Sequence, residues 1–355
     1  MRKTPTYAGY SCKKSKRNRT SSLCGKIIFS LRGFLLTEQI PTKSIVEGAF
    51  LAAITAVLFI ISIYIPLLGT LVSFLCPLQI IILCLRHSIK FAIISTFISG
   101  ILVTILAGPL QGLMVLLGFG ILGLTLGFGI KKGLSLTDII IIGSIASLVS
   151  KGLILLIGFW VLDLNTVLFD IEEIDKIITQ SLNFYSNMGL SPEQLATLKD
   201  SLTQTISIVK IAFPGMIILA SIFDTILNYW VARLILKRFG YKLANFSPFH
   251  NWRASKSFFW SYLLGMILII LGTVYKVPLL NRIGINIQVF FAVAFLIYGL
   301  SLTSFILERF KIKNFLKWVV YVLVCFQPLL SQIVTWAAML DIWIDFRRLI
   351  TARKE

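Results

Sequence analysis

Two ionisable residues interrupt long apolar stretches of this 355-residue chain, and their side chains are the best suited to chemistry. Lys151 lies near the centre of 139–162, and Asp224 lies near the middle of 208–235. A charged group at the centre of a bilayer costs about 2.5–3.5 kcal/mol or more, so such residues usually serve a function. Their polar neighbours on the same stretches are Asn228, Ser147 and Ser150.

These charges have two interpretations. If the two stretches are consecutive antiparallel helices, Lys151 and Asp224 lie at similar depth and form an ion pair. That pair could belong to a polar core that binds a solute or relays a proton, or it could be a structural link that fixes helix register. At the outer ends, the residues that could line a mouth are Trp160, Asp163 and Asn165, although Trp160 also fits an interfacial anchor.

The composition predicts an all-α, polytopic transmembrane helical protein. The chain is 57% hydrophobic and 14% charged with a mean hydropathy of +0.89, whereas soluble domains carry about 25% charged residues. A span needs about 20 apolar residues, and the apolar runs lack the alternation of barrel strands. The nine predicted spans are 45–65, 68–85, 90–107, 110–130, 139–162, 208–235, 257–275, 286–307 and 318–340.

The net charge of +19 is distributed as the positive-inside rule requires. With a cytoplasmic N-terminus, the inner connections hold 23 Lys and Arg residues and the outer connections hold four. This distribution argues against a nucleic-acid partner and predicts a multi-pass protein of the cell membrane. Residues 1–43 are predicted to be a basic, disordered cytoplasmic tail.

The last apolar run leaves the span count between eight and ten. Nine straight spans would place Arg347 and Arg348 outside, against the charge rule. Pro328 lies in the middle of that run, which favours a broken helix or a tight helical pair that returns the C-terminus to the cytoplasm.

The outer segment 163–207 is predicted to form two amphipathic helices over the outer mouth. Gly189 ends the first helix, and Ser191 with Gln194 predicts a capping box at the start of the second. A lid over a binding site and a connector on the membrane surface are both consistent with this pattern.

Small residues at intervals of four predict close helix packing in two spans. The first span carries two such faces, Ala49 with Ala53 and Ala52 with Ala56, and the fourth carries Gly123 with Gly127. Internal packing explains these faces without a partner, whereas docking of another subunit is the functional alternative.

The cytoplasmic connection 241–256 mixes aromatic and basic residues, notably Phe249, Trp252 and Arg253. Such a mixture suits the lipid headgroup layer, but it also suits contact with a partner protein. Near the C-terminus, Asp341 and Asp345 lie one turn apart beside two arginines. A salt-bridged helix end explains them, and catalysis by the acid pair is the alternative.

No motif calls for a cofactor or a metal. The two histidines and five cysteines show no ligand spacing, and the chain has no P-loop for ATP hydrolysis. Gly118-Phe119-Gly120-Ile121-Leu122-Gly123 matches a dinucleotide fingerprint in letters, but it lies inside an apolar span without a preceding strand.

Four stretches resemble the YybS-type membrane proteins, a bacterial family of unknown function, over roughly 44–350. They are EGAFLAAITAVLF in the first span, AGPLQG at 107–112, the FSPFHNW loop, and LDIWIDFRR at 340–348. That family is distantly similar to the substrate-binding S components of energy-coupling-factor (ECF) transporters, which are six-helix proteins with both ends in the cytoplasm. Their first helix carries an AxxxA face that contacts the coupling subunit.

The resemblance implies a six-helix module at 44–240, a loop at 241–256 and a C-terminal extension at 257–346. It also implies that Ala49 and Ala53 dock an ECF coupling subunit with its ATPases. The leading hypothesis is therefore a non-enzymatic protein that binds or transports a small solute near Lys151 and Asp224. The alternatives are a scaffold that anchors a cytoplasmic complex and, third, an intramembrane enzyme.

Overall fold

The computed structural model describes residues 42–65, 68–161, 171–241 and 243–352, and the secondary structure in these ranges is helical throughout. The bounds of the helices are α1 (Thr42–Tyr64), α2 (Leu68–Ser73), α3 (Cys76–Arg86), α4 (Ile89–Ala107), α5 (Pro109–Leu113), α6 (Ile121–Lys131), α7 (Leu136–Val161), α8 (Ile171–Asn187), α9 (Pro192–Arg238), α10 (Lys256–Val274), α11 (Pro278–Arg309), α12 (Asn314–Phe326), α13 (Pro328–Ile344) and α14 (Phe346–Ala352). A π-helical segment, Met114–Gly120, joins α5 to α6.

Eight helical segments among these residues are long and apolar enough to cross a membrane. They are α1, α2 with α3, α4, α5 to α6 through the π segment, α7, α9, α10 and α11. The prediction of a polytopic helical membrane protein is thereby confirmed. The division into a 44–240 module and a 257–346 extension stays a prediction.

The π-helical segment lies where small residues bring helices close together. A Cβ on Gly112 would meet the Thr104 hydroxyl of α4, so α5 packs directly on that helix. Ser150 on α7 donates from Oγ to the Leu117 carbonyl of the π segment at 2.6 Å. A π-helical turn interrupts the regular α-helical hydrogen bonds of the backbone, and the Ser150 hydroxyl provides a donor for one carbonyl of this segment.

The outer helices differ from the prediction in one respect. Helix α8 is separate and ends at Asn187, Gly189 follows it with φ +91°, and the Ser191–Gln194 capping box is present. The second predicted helix, however, is the N-terminal part of α9, which runs unbroken for 47 residues, or about 70 Å. The sequence thus located the start of this helix but not its continuation into the sixth predicted span, and the position of the two helices over a mouth stays a prediction.

Helix α9 continues past Pro214 because a neighbouring helix replaces part of its hydrogen bonding. The Asn286 amide on α11 accepts from the Gly215 N–H at 2.7 Å and donates to the Ile211 carbonyl at 2.8 Å. Proline usually breaks a helix, but a side chain that satisfies the freed backbone groups removes much of that cost in a membrane. Gly215 permits the contact, since a Cβ there would lie 2.9 Å from Asn286 Oδ1.

The ninth predicted span is a bent pair rather than a straight helix. Helices α12 and α13 meet at an angle of 101°, with Gln327 in an extended conformation between them. Pro328 begins α13, the position where proline is favoured because its missing N–H needs no partner. The helix is therefore broken at the proline, as Pro328 indicated, and the prediction of a straight span over 318–340 is wrong.

The basic connections of the first half of the chain lie at one side of the membrane. The Glu47 carboxylate near the start of α1 bonds His87 Nε2 at the end of α3, at 2.7 Å. Lys131 Nζ at the end of α6 donates to the carbonyls of Cys84 and His87. The Arg86 guanidinium lies over the Phe239 ring at the end of α9, 5.4 Å from its centroid.

The second half continues on this side. His250 Nδ1, in the connection after α9, lies 2.6 Å from Glu308 Oε2 at the end of α11. Glu308 also pairs with Lys317 near the start of α12 at 3.7 Å, and Arg347, after α13, donates to the His250 carbonyl. The bent pair therefore enters and leaves at the same side, which we call the basic side.

Candidate functional site

The predicted ion pair forms between α7 and α9. Lys151 Nζ lies 2.8 Å from Asp224 Oδ2. It also donates to Ser147 Oγ at 2.6 Å, and that hydroxyl donates to the same carboxylate oxygen at 2.9 Å. Asn228 Nδ2 donates to the other oxygen, Asp224 Oδ1, at 2.7 Å. Spacings of four residues place Ser147 under Lys151 and Asn228 under Asp224, which builds the site from two helix faces.

This cluster lies deep in the membrane, yet it is incompletely covered. Lys151 and Asp224 are each about 20 Å along the axis from the basic ends of α7 and α9. The Lys151 and Asp224 side chains are nevertheless 32% and 25% exposed. Intramembrane charges almost always face a bundle interior or a water-filled space rather than lipid, and the helices of this chain enclose the two side chains only in part.

Two buried polar atoms on the two helices that carry the pair have no hydrogen-bond partner among the described residues. They are Asn228 Oδ1 and Ser144 Oγ. Asn228 is only 2% exposed, and Nδ2 holds its amide group against Asp224. Ser144 shares a face of α7 with Ser147. Sequence inspection missed Ser144, although its spacing of three and seven residues to Ser147 and Lys151 could have revealed it.

Other candidate residues are not part of this cluster. Ser150 bonds the π segment instead, and the Trp160 side chain is 88% exposed at the C-terminal end of α7. The exposure of Trp160 fits an anchor at the membrane interface better than a wall of a site. Asp163 and Asn165 lie outside the described residues.

The two small-residue faces of α1 have different environments. Ala52 and Ala56 are 0% and 2% exposed and pack inside the protein. Ala49 and Ala53, on the other face, are exposed. On the fourth span, Gly123 and Gly127 pack against α3, where added Cβ atoms would lie 3.0 Å from Ile80 Cβ and 2.8 Å from Cys84 Cβ. Internal packing therefore explains every small face named here except that of Ala49 and Ala53.

A second polar cluster joins two stretches that the sequence presents as unrelated. Arg347 is 3% exposed and donates to the carbonyls of His250 and Trp252, the latter at 2.8 Å. Ser301 Oγ on α11 lies 2.6 and 2.8 Å from the Phe249 and Trp252 carbonyl oxygens, and its single proton can bond either of them. The connection 241–256 is thus bound to the C-terminal segment through its backbone. Sequence reasoning missed the roles of Arg347 and Ser301, because nothing in their neighbours predicts so distant a partner.

The acid pair near the C-terminus is engaged with arginines and backbone. Asp341 lies 3.4 Å from Arg347 Nε and accepts from the Phe346 N–H, while Asp345 accepts from Arg253 Nη1 at 3.1 Å. A cavity of about 110 Å³ lies between these residues, with Tyr298 and Ala338 in its wall. Burial lowers the pKa of the Arg347 guanidinium from its ordinary value, Asp341 raises it and Arg253 lowers it. Arginine keeps its charge in proteins, so the arrangement is a charge-balanced structural link.

The aromatic residues of the connection pack on one another. Phe249 and Trp252 have ring centroids 5.6 Å apart, and Trp252 Nε1 donates to the Ser247 carbonyl at 2.9 Å. Arg253 keeps 55% of its side-chain area exposed despite its bond to Asp345. The three residues proposed as a partner contact therefore have internal roles that account for their types.

Comparison with known proteins places most of the chain in a family. Residues 53–342 match the family described as "Predicted membrane protein (DUF2232)". Over 271 residues the chain is 26% identical to "Uncharacterized protein YybS" of Bacillus subtilis (strain 168), which covers 74% of this chain and 84% of that protein. No solved structure matches. The family match includes α7 and α9, which carry Lys151 and Asp224, and covers well over half of the chain, so this multi-pass membrane protein belongs to the DUF2232 family.

Proposed function

We propose that this protein binds a small polar solute in the membrane at the Lys151–Asp224 site. The observation that carries the proposal is the incomplete cover of the ion pair, with side chains 32% and 25% exposed. A purely structural link would be most stable when fully enclosed, since exposure to lipid is costly for both charges. An opening at this depth is therefore best explained by access for a polar ligand.

Partners that supply energy belong to the same proposal. The chain has no P-loop, so transport of the solute would need an ATPase from another subunit. The exposed Ala49–Ala53 face of α1 is the docking surface we propose for an ECF coupling subunit, because small residues let two membrane helices approach closely. The distant similarity to S components and the exposure of both alanines support that partner. The positive-inside distribution supports a cytoplasmic N-terminus in a bacterial cell membrane.

Co-purification tests the docking. Leucine at both positions, Ala49→Leu with Ala53→Leu, adds bulk to an exposed face and leaves the internal face of α1 unchanged. We expect the variant to fold but to lose co-purification with a co-expressed ECF coupling subunit and its ATPases. The matched control, Ala196→Leu, changes an exposed alanine on α9 and should co-purify normally. Retention of the complex by the double variant would contradict this part of the proposal.

Solute binding at the pair is tested separately. We expect Asp224→Asn to abolish uptake or binding of the solute in vesicles that contain the intact complex, whereas Ser150→Ala on the same polar stretch of α7 should not. Full activity of a folded Asp224→Asn variant would show that the pair is only a structural link.

A further inference from the structure

The Lys151–Asp224 site is electrically neutral, and neutrality restricts what it can admit. One ammonium and one carboxylate lie 2.8 Å apart, and among the described residues their hydrogen-bond and ion-pair partners include no third charged side chain. A solute with a net charge would leave one uncompensated charge at this depth, which costs several kcal/mol in a membrane. A solute whose own charges cancel avoids this cost.

The hydrogen-bonding groups that remain at the site include both a donor and acceptors. An ammonium has three donors, and Lys151 uses two of them on Ser147 and Asp224. Asn228 Oδ1 is a buried acceptor that no described residue bonds, and Ser144 Oγ can accept or donate. Asn228 and Ser144 lie closer along α9 and α7 to the basic ends of these helices than Asp224 and Lys151 do.

We propose that the solute is a zwitterion that carries an ammonium and a carboxylate, an inference that rests on the proposed function of this site. The ammonium of the solute replaces that of Lys151 at Asp224 and donates a further hydrogen bond to Asn228 Oδ1. Lys151 turns toward the uncovered side and donates to the carboxylate of the solute. No covalent bond or proton is exchanged, and each of the four charges has an opposite partner before and after binding.

This exchange explains why the resting ion pair exists. In the empty protein each side chain neutralises the other, which keeps the cost of two intramembrane charges low. The bound solute takes over both roles at once, whereas a simple carboxylate or a simple amine could take over only one. The resting pair thus acts as a selectivity device through the charge left uncompensated by the wrong ligand.

Three probes of equal chain length separate the charge classes. They are γ-aminobutyrate with both charges, butyrate with the carboxylate alone and butylamine with the ammonium alone; glycine and β-alanine vary the distance between the charges. Binding is measured on the full chain in lipid nanodiscs by calorimetry and by the fluorescence of its seven tryptophans. We expect at least one zwitterion to bind about tenfold or more tightly than either singly charged probe.

Single-charge variants should invert this preference. Lys151→Met leaves Asp224 alone and should favour butylamine, whereas Asp224→Asn leaves Lys151 alone and should favour butyrate. If either variant fails to fold, Ser144→Ala gives a milder test, since it removes only a hydroxyl without a partner. We expect Ser144→Ala to weaken zwitterion binding by about threefold to tenfold without lowering the melting temperature. Ser150→Ala is the matched control and should bind normally.

Each other result overturns the inference. Tighter binding of butyrate or butylamine to the unmodified protein would do so, as would failure of all three zwitterions or an unchanged preference in the folded variants. If an uncharged or singly charged solute binds and Asp224→Asn abolishes that binding, only the zwitterion class is lost and the proposed function stands. If Asp224→Asn weakens the binding of none of the solutes, the proposed function is contradicted as well.

Discussion

Asp224 is the residue whose removal should have the largest local effect, because its carboxylate accepts from three side chains on two helices. Asp224→Asn leaves the Lys151 ammonium without an opposite charge at mid-depth. We expect the free energy of unfolding to fall by about 2.5–3.5 kcal/mol, measured by thermal or denaturant unfolding in nanodiscs. The double variant Lys151→Met with Asp224→Asn should recover most of this loss, since no charge remains. A double variant less stable than either single variant would contradict the account.

In the second polar cluster, which joins the connection 241–256 to the C-terminal segment, Arg347 is the residue whose removal should have the largest effect. Arg347→Ala removes its hydrogen bonds to the carbonyls of the 241–256 connection and leaves Asp341 without its buried partner. We expect a loss of about 3–5 kcal/mol and faster proteolysis within that connection. The adjacent exposed residue provides the control, since Arg348→Ala should change stability by less than about 0.5 kcal/mol. Equal effects of the two variants would show that burial of Arg347 is unimportant.

The two polar clusters differ in how far the sequence could predict them. Lys151 and Asp224 stand out because charges are rare in apolar runs, and consecutive antiparallel helices bring them to one depth. Arg347 lies in a run of charges near the C-terminus, where such residues are common and carry no signal of burial. Its partners are backbone carbonyls 95 and 97 residues away, which no side-chain pattern can indicate.

At the scale of helices, the glycines of α6 should tolerate no side chain. Gly127→Ala places a Cβ 2.8 Å from Cys84 Cβ and 3.3 Å from Ile81 Cα, both on a well-packed helix. We expect the free energy of unfolding to fall by about 1–3 kcal/mol, measured by unfolding in nanodiscs. Gly152→Ala on α7 is the matched control, because an added Cβ meets nothing within 4 Å. Alanine favours helix by up to about 1 kcal/mol over glycine, so this variant should be neutral or more stable.

The beginnings of helices were easier to predict than their ends. Ser191 and Gln194 form the predicted capping box because that signal is local to four residues. The continuation of α9 past Pro214 depends instead on Asn286, which is 71 residues from Gly215 in sequence. Proline alone would predict a break there, and only tertiary contact decides otherwise. At Pro328 the freed Val324 carbonyl accepts from the Ser331 hydroxyl three residues beyond the proline, and the chain bends by 101°. The same residue type thus has opposite outcomes.

The whole molecule gathers its basic connections at one side through specific contacts as well as through charge distribution. The carboxylates of Glu47 and Glu308 each bond one of the two histidines and also pair with a basic residue. These acids lie among many positive charges, and they hold neighbouring helix ends together there. The sequence predicted which connections share a side from their charge, but the acid–histidine links follow only from packing.

Because the bent pair α12–α13 returns to the basic side, we expect both of its ends to lie on the same side of the membrane. If that side is cytoplasmic, cysteines at Lys132, Lys313 and Arg348 should be inaccessible to an impermeant maleimide in intact cells and should react after permeabilisation. Met188→Cys, in the exposed turn between α8 and α9, should react without permeabilisation. The test uses a background in which the five native cysteines are replaced by alanine. Labelling of Arg348→Cys together with Met188→Cys would mean that α12–α13 crosses the membrane once, and the Arg347 contacts with His250 and Trp252 could not then exist.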